Sequence, residues 1–151
     1  PAGYQSILAE QIPHIELPDA AGTLRLIGGQ YGPHKGPART FSAMCVADAK
    51  LNADKAVTLS VPAGWNTQVV VLEGQVRVAD QSVGPAQVIN FERDNQDVVL
   101  HADTEATVLL LAGEPIREPV VGYGPFVMNT REEIMQAMRD FESGKFGHMD
   151  A

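Results

Sequence analysis

Short apolar segments separated by turn residues fill the middle of this 151-residue chain, and their regular spacing limits the folds that the chain can adopt. Turn residues recur at Pro62-Ala-Gly64, Glu73-Gly74, Gly84-Pro85 and Asp94-Asn95. Many short strands spaced by about 8 to 12 residues are typical of an all-β sandwich or barrel. The predicted strands are residues 41–49, 56–61, 68–72, 75–79, 87–91, 97–102 and 106–111.

The patterns within and before these segments indicate how the sheet is built. Gln75-Val-Arg-Val78 alternates polar and apolar side chains, as a half-buried strand does. Val69-Val-Val-Leu72 is continuously apolar, as in a strand of a sandwich core. Residues 1–22 form a lead-in, the β region begins near residue 24, and residues 28–37 form a glycine- and proline-rich loop, with Gly28-Gly29 as a bulge or turn. We therefore expect an antiparallel β-sandwich or barrel.

One segment near the end of the chain has the pattern of an α-helix, predicted at residues 131–143. Thr130 and Glu133 have the spacing of a capping box, and Gly144 stands where a left-handed C-terminal cap belongs. Apolar residues three and four apart then give the helix one apolar face. These residues are Ile134, Ala137, Met138 and Phe141.

Composition excludes several classes of function. The net charge is −8, with 11 basic residues scattered among 19 acidic ones, so we expect no direct contact with nucleic acid. No apolar run approaches the roughly 20 residues that a membrane-spanning helix needs, so we expect no membrane contact. Cys45 is the single cysteine and lies in an apolar run, which predicts a buried thiol on a strand. A single cysteine and the lack of a visible leader favour the cytoplasm, or the nucleus in a eukaryote.

Two motifs near the C-terminus resemble one known family. Gly113-Glu-Pro-Ile-Arg-Glu-Pro119 and Tyr123-Gly-Pro-Phe-Val-Met-Asn-Thr130 are similar to the end of pirins, which carry two cupin domains in one chain. Pro62-Ala-Gly-Trp-Asn66 and Val69-Val-Val-Leu-Glu-Gly74 resemble the turn and the central hairpin of the second domain. The resemblance implies a single C-terminal cupin domain over residues 1–151, with a jelly-roll barrel at 24–112, a proline-rich connection at 113–130 and the helix at the end.

The resemblance also says where a cupin metal site would lie. Catalytic cupins take two His and a Glu from a first motif, which falls here between Ser60 and Thr67, and a third His near Asn95. The first stretch contains no His, Asp or Glu, and Asn95 replaces the histidine. We therefore expect no metal and no catalytic residue in this chain. The four histidines are expected on the surface or in loops, apart from a structural histidine on a strand; they are His14, His34, His148 and, on the strand, His101.

Three hypotheses for function remain open. The first is a non-catalytic, metal-free structural or protein-interaction module. The second is one half of a metal-dependent flavonol (quercetin) dioxygenase or of a transcription-associated pirin, with iron held by a separate N-terminal cupin half. Alone, the chain is not expected to be an enzyme. The third is a metal-free binder of small molecules at the barrel mouth, lined by Trp65, Gln68 and His101.

The same family likeness suggests partners for the first hypothesis. We expect another cupin half, a second copy of this chain, or regulatory proteins. Large apolar residues beyond the last barrel strand are the candidate interface, because leaving several of them in water is costly. They are Tyr123, Phe126, Met128, Met138 and Phe141.

Overall fold

The structure is a computed structural model, and it describes residues 4–94 and 97–147 of the chain. Within these residues the backbone forms thirteen strands, one α-helix and two short 3-10 turns. The strands are β1 (His14–Leu17), β2 (Gly22–Tyr31), β3 (His34–Lys35), β4 (Met44–Leu51), β5 (Lys55–Ser60), β6 (Asn66–Glu73), β7 (Val76–Val78), β8 (Gln81–Val83), β9 (Val88–Phe91), β10 (Asp97–Ala102), β11 (Ala106–Gly113), β12 (Val121–Tyr123) and β13 (Phe126–Met128). The helix α1 spans Arg131–Glu142, and the 3-10 turns span Ala9–Gln11 and Pro18–Ala20. No helix in this part of the chain is long and apolar enough to span a membrane.

Two compact units follow each other along the chain, the first ending at Pro115 and the second beginning at Ile116. In the first unit the larger sheet has the strand order β1-β2-β4-β11-β6-β9, with β3 paired to β2. The smaller sheet has the order β5-β10-β7-β8. Neighbouring strands in both sheets pair antiparallel. The predicted antiparallel β-sandwich is therefore confirmed.

The core of the first unit is a single apolar cluster to which both sheets contribute. Strand β11 shows how the sequence builds it, because Ala106, Val108 and Leu110 are buried while the residues between them are only half-buried. Each fully buried Leu or Val contributes about 1.5–3 kcal/mol relative to exposure. The largest fully buried side chains are Leu24, Leu26, Leu59, Leu100, Leu110, Val69, Val71, Val76, Val98 and Val108.

The structure adds strands that the sequence patterns did not predict. Strand β1 lies in the expected lead-in and pairs with β2, and β3 lies in the expected glycine-rich loop. The predicted strand at 41–49 instead begins at Met44, and Phe41 before it is fully exposed. Gly28 lies at a register shift between β2 and β4, so the predicted bulge is confirmed. These edge strands have two to four residues each, too few for a clear periodicity.

The second unit contains the β12–β13 hairpin and α1, which pack on each other. The capping box is confirmed: the Glu133 backbone N–H donates to Thr130 Oγ1 at 3.2 Å, and the Thr130 N–H donates to Glu133 Oε2 at 2.9 Å. At the other end Gly144 has φ 75° and donates to the Phe141 carbonyl at 3.0 Å, as a left-handed cap should. Local signals therefore define both helix ends.

Removing the Thr130 hydroxyl is expected to destabilise α1. Thr130→Ala loses the acceptor for the Glu133 N–H and leaves a free donor in the first turn, at a cost of about 1 kcal/mol. Amide hydrogen exchange in α1 should then be about fivefold faster, while exchange in β11 stays unchanged. Thr130→Ser is the matched control, because it keeps the hydroxyl and should keep the protection. Equal exchange in wild type and Thr130→Ala would contradict the assignment.

Candidate functional site

A cavity of about 620 Å³ opens in the first unit, where β2, β4 and β5 come together. Its wall combines aromatic and sulfur-containing side chains with hydroxyl groups and one lysine. The residues that give the wall its chemistry are Tyr31, Lys35, Met44, Cys45, Ser60 and Trp65. The cavity therefore offers both an apolar surface and hydrogen-bonding groups.

A close approach of β2 to β4 forms one side of this cavity. Gly29 pairs with Cys45 and has φ 76°, and a Cβ atom there would lie 1.6 Å from the Met44 carbonyl oxygen. Only glycine fits this position. Beyond it the chain turns through Gly32 and Pro33, so that Lys35 returns beside Gln30 in register. The bulge and the turn together place Tyr31 and Lys35 at the cavity.

Burial raises the pKa values of two groups in the wall, the Cys45 thiol and the Tyr31 phenol. It raises the pKa of the Cys45 thiol to about 11, so this thiol is a poor nucleophile. The Tyr31 pKa is raised mainly by burial, with smaller contributions from Cys45 and Asp97, and a hydrogen bond from the Ser60 backbone opposes the shift. Tyr31 thus presents a neutral phenol that can donate a hydrogen bond.

Of the three residues predicted to line the barrel mouth, the structure places only Trp65 at the cavity. Gln68 lies on the outer face of β6, because Thr67 and Val69 on either side are buried, and its side chain donates to Asn90 Oδ1 at 2.7 Å. His101 lies on the outer face of β10 for the same reason. The expected lining role of these two residues is corrected, since strand alternation turns both side chains outward.

His101 takes part in a surface network. Its Nδ1 lies 3.0 Å from Asp103 Oδ1 and 3.1 Å from the Arg77 guanidinium, which also binds Asp103 at 2.6 Å. Arg77 is the main reason that the pKa of Asp103 is lowered. His101 therefore acts as a structural partner of a surface ion pair.

The wall does not fit a cupin metal centre. Ser60, Val61, Pro62 and Trp65 line the cavity from the stretch where the first metal motif was expected, and none of them is a usual metal ligand. Across residues 4–94 and 97–147, no three His, Cys, Asp or Glu side chains form a group that could hold a metal.

The remaining positions named for a metal site lie elsewhere. His14 and His34 are exposed on β1 and β3. Asn95, the expected third-ligand position, and His148 lie outside the described residues. Neither exposed histidine is among the residues that line the cavity.

A second feature, in the second unit, is an aromatic cluster of Phe126, Phe141 and Phe146, with ring centroids 6.2 to 6.5 Å apart. Phe141 and Phe146 are more than 60% exposed despite these contacts. The other predicted interface residues lie nearby in the chain: Tyr123 is exposed, while Met128 and Met138 are half-buried.

The sequence prediction missed Phe146. A signal was present, since an apolar residue just beyond a left-handed cap often contacts the last helical turn.

An antiparallel sandwich with a cavity beside the β5–β6 turn is the architecture of a cupin-type barrel. The chain belongs to the family of pirin C-terminal cupin domains, whose family model matches residues 46–147. A solved structure, quercetin 2,3-dioxygenase from Acinetobacter baumannii, superposes with a TM-score of 0.89 at 45% identity, over 98% of this chain and 52% of that one.

Sequence relatives give the same picture. A Pseudomonas aeruginosa protein, provisionally named as a quercetin 2,3-dioxygenase, is 49% identical over 146 residues, which are 97% of this chain and 51% of that protein. Human pirin is 34% identical over 150 residues, which are 95% of this chain and 51% of pirin. The chain thus spans about half the length of the curated relatives it matches.

The raised pKa of Cys45 predicts a specific pH dependence of stability. The unfolded thiol titrates near its ordinary value of 9.0, whereas the folded one titrates at about 11. The unfolded state therefore loses its proton first, and the folded state loses stability between these two values. By pH 10 this loss amounts to about 1 kcal/mol relative to pH 8.

Urea unfolding at pH 8 and pH 10 measures this effect, with Cys45→Ala as the matched control that lacks the thiol. The wild type should lose about 1 kcal/mol more than the variant over this interval. Equal losses in the two proteins would show that the thiol titrates normally in the folded state.

Proposed function

We propose that this chain is a non-catalytic, metal-free cupin half that acts as a structural and protein-interaction module. The observation that carries the proposal is the filling of the sandwich interior. Leu59, Val69 and Leu100 are completely buried there, in an apolar cluster built by both sheets. A metal site needs several imidazole or carboxylate donors directed at one point. An interior of aliphatic side chains supplies stability instead.

The relatives suggest which kind of protein such a module completes. They are about twice as long as this chain, and some of them are named as quercetin 2,3-dioxygenases. In a protein of that length, flavonol oxidation would depend on iron held by the other cupin half. The residues described here would then contribute stability and contacts, and the reaction itself would lie outside them. The same family likeness favours regulatory proteins as further partners and the cytoplasm as the location.

The aromatic cluster of the second unit is the best candidate for the contact with that other half. Phe141 is 64% exposed and Phe146 62% exposed, although their rings already touch Phe126. Tyr123 adds a further exposed aromatic ring on the hairpin. Large apolar groups in water cost free energy, and aromatic side chains are enriched where proteins bind each other. A metal-bearing cupin half is the partner that the length of the relatives supports.

The chain alone is expected to bind no stoichiometric transition metal. After equilibration with iron, nickel, copper or zinc salts and removal of excess metal, elemental analysis should find far less than one ion per chain. The other cupin half of the Pseudomonas relative, treated in the same way, is the positive control. One ion per chain, lost in His101→Ala, would overturn the metal-free assignment. Oxygen uptake with quercetin by the chain alone would overturn the non-catalytic one.

A charge in the aromatic cluster is expected to weaken the contact with the other cupin half. Phe141→Asp would place an unpaired carboxylate in an apolar interface and should weaken binding about tenfold or more. Val127→Asp is the matched control, because Val127 is equally exposed but lies on the opposite face of β13 from Phe126. Its binding should stay near that of the wild type.

Calorimetry with the other half of the Pseudomonas relative measures this binding, and circular dichroism checks that both variants fold. Light scattering of the chain alone detects the competing outcome, self-association through the same cluster. A chain that is monomeric and does not bind the added half would overturn the proposed interface.

A further inference from the structure

We propose that the cavity of the first unit is a metal-free binding site for a small aromatic anion. This goes beyond the proposed function, which rests on the filled core and on the aromatic cluster of the second unit. The two ideas concern different surfaces, so either can fail without the other.

The volume of the cavity supports ligand binding. The cavity of about 620 Å³ is partly open to solvent, so it is an accessible pocket and not a void in the core. It falls within the roughly 300–1,000 Å³ range of small-molecule sites. A ligand with one or two rings would fit this space.

The walls indicate an aromatic ligand. Trp65 and Tyr31 are both half-buried, each packing against the core on one side while lining the cavity on the other. Met44 adds a polarizable thioether. Offset or edge-to-face contacts with aromatic rings contribute about 0.5–1.5 kcal/mol beyond the burial of area. Flat aromatic ligands gain most from such walls.

Charge indicates an anion. Lys35 is the one formally charged residue among the described residues that line the cavity, and it forms no salt bridge with any described residue. Asp97 accepts a hydrogen bond from Ser60 Oγ at 2.9 Å and is not among the residues that line the cavity. In a chain of net charge −8, an exposed lysine at the rim with neutral donors beside it favours a carboxylate or phenolate.

Hydroxyl groups supply the remaining polar contacts. Tyr31 carries a neutral phenol, and the hydroxyl groups of Thr40 and Ser42 line the same space, whereas the Ser60 hydroxyl donates to Asp97. A small number of well-placed polar groups on an otherwise apolar wall is how small-molecule sites fix the orientation of a ligand. The site thus combines one lysine and several hydroxyl donors with the aromatic rings of Tyr31 and Trp65.

The single tryptophan of the chain makes the test direct. Trp65 is the only tryptophan in the sequence and lines the cavity, so its fluorescence reports on ligand there. The probes are 3-phenylpropanoate, its uncharged amide and the matching ammonium compound, which share one ring and differ in charge. The carboxylate should give a saturable change and bind about fivefold more tightly than the amide, with the cation weakest.

Lysine variants then test the charged contact. Lys35→Met should weaken binding of the carboxylate about fivefold and leave binding of the amide unchanged. Lys55→Met is the matched control, because Lys55 is exposed at the far end of β5 from Ser60. It removes the same charge from the other sheet, away from the cavity, and should leave both affinities unchanged. Tyr31→Phe should weaken binding of the carboxylate about threefold, because one hydrogen-bond donor is lost.

Two results would overturn the proposal. One is the absence of a saturable fluorescence change with all three probes. The other is carboxylate binding that responds equally to Lys35→Met and Lys55→Met, since that pattern reflects overall charge and not this cavity.

Discussion

The apolar core shared by the two sheets is the constraint on which the rest of the first unit depends. Each long strand must direct every second side chain into that core, so its polar residues can occupy only the outer faces and the ends. Val98 and Leu100 on β10 obey this rule, and His101 is turned outward as a consequence. Aliphatic side chains fill the centre of this sandwich, and no described histidine is buried there.

Polar residues on the outer faces are used to hold strands together. Arg25 and Asp48 are directly paired on β2 and β4, and the guanidinium donates to the carboxylate at 2.6 to 3.1 Å. Asp48 is only 7% exposed, so the arginine both satisfies and covers it. Arg77, Asp103 and His101 make a similar but more exposed group. These arginine, aspartate and histidine side chains therefore stabilise the sheets.

Much of this could be predicted from local patterns, and the failures have identifiable causes. The strand at β6, the capping box at Thr130 and the buried Cys45 follow from apolar runs and residue spacing, and all three are present. The outward position of Gln68 could not be predicted, because the run Val69-Val-Val-Leu72 that follows it shows no alternation in the sequence. The cavity could not be predicted from local patterns. It depends on the turn that brings Lys35 back beside β2 and on the close approach of β2 to β4, and both are tertiary features.

The position of the cavity favours a role in binding. The stretch from Ser60 to Thr67 contains no His, Asp or Glu and borders an open space. A module needed only for stability gains nothing from an open cavity, since filling it with aliphatic side chains would add about 25 cal/mol per Å² of buried apolar surface. Instead the wall keeps half-buried Trp65 and Tyr31 beside Lys35. Aromatic rings, hydroxyl groups and one lysine around an open cavity suit the binding of a small molecule.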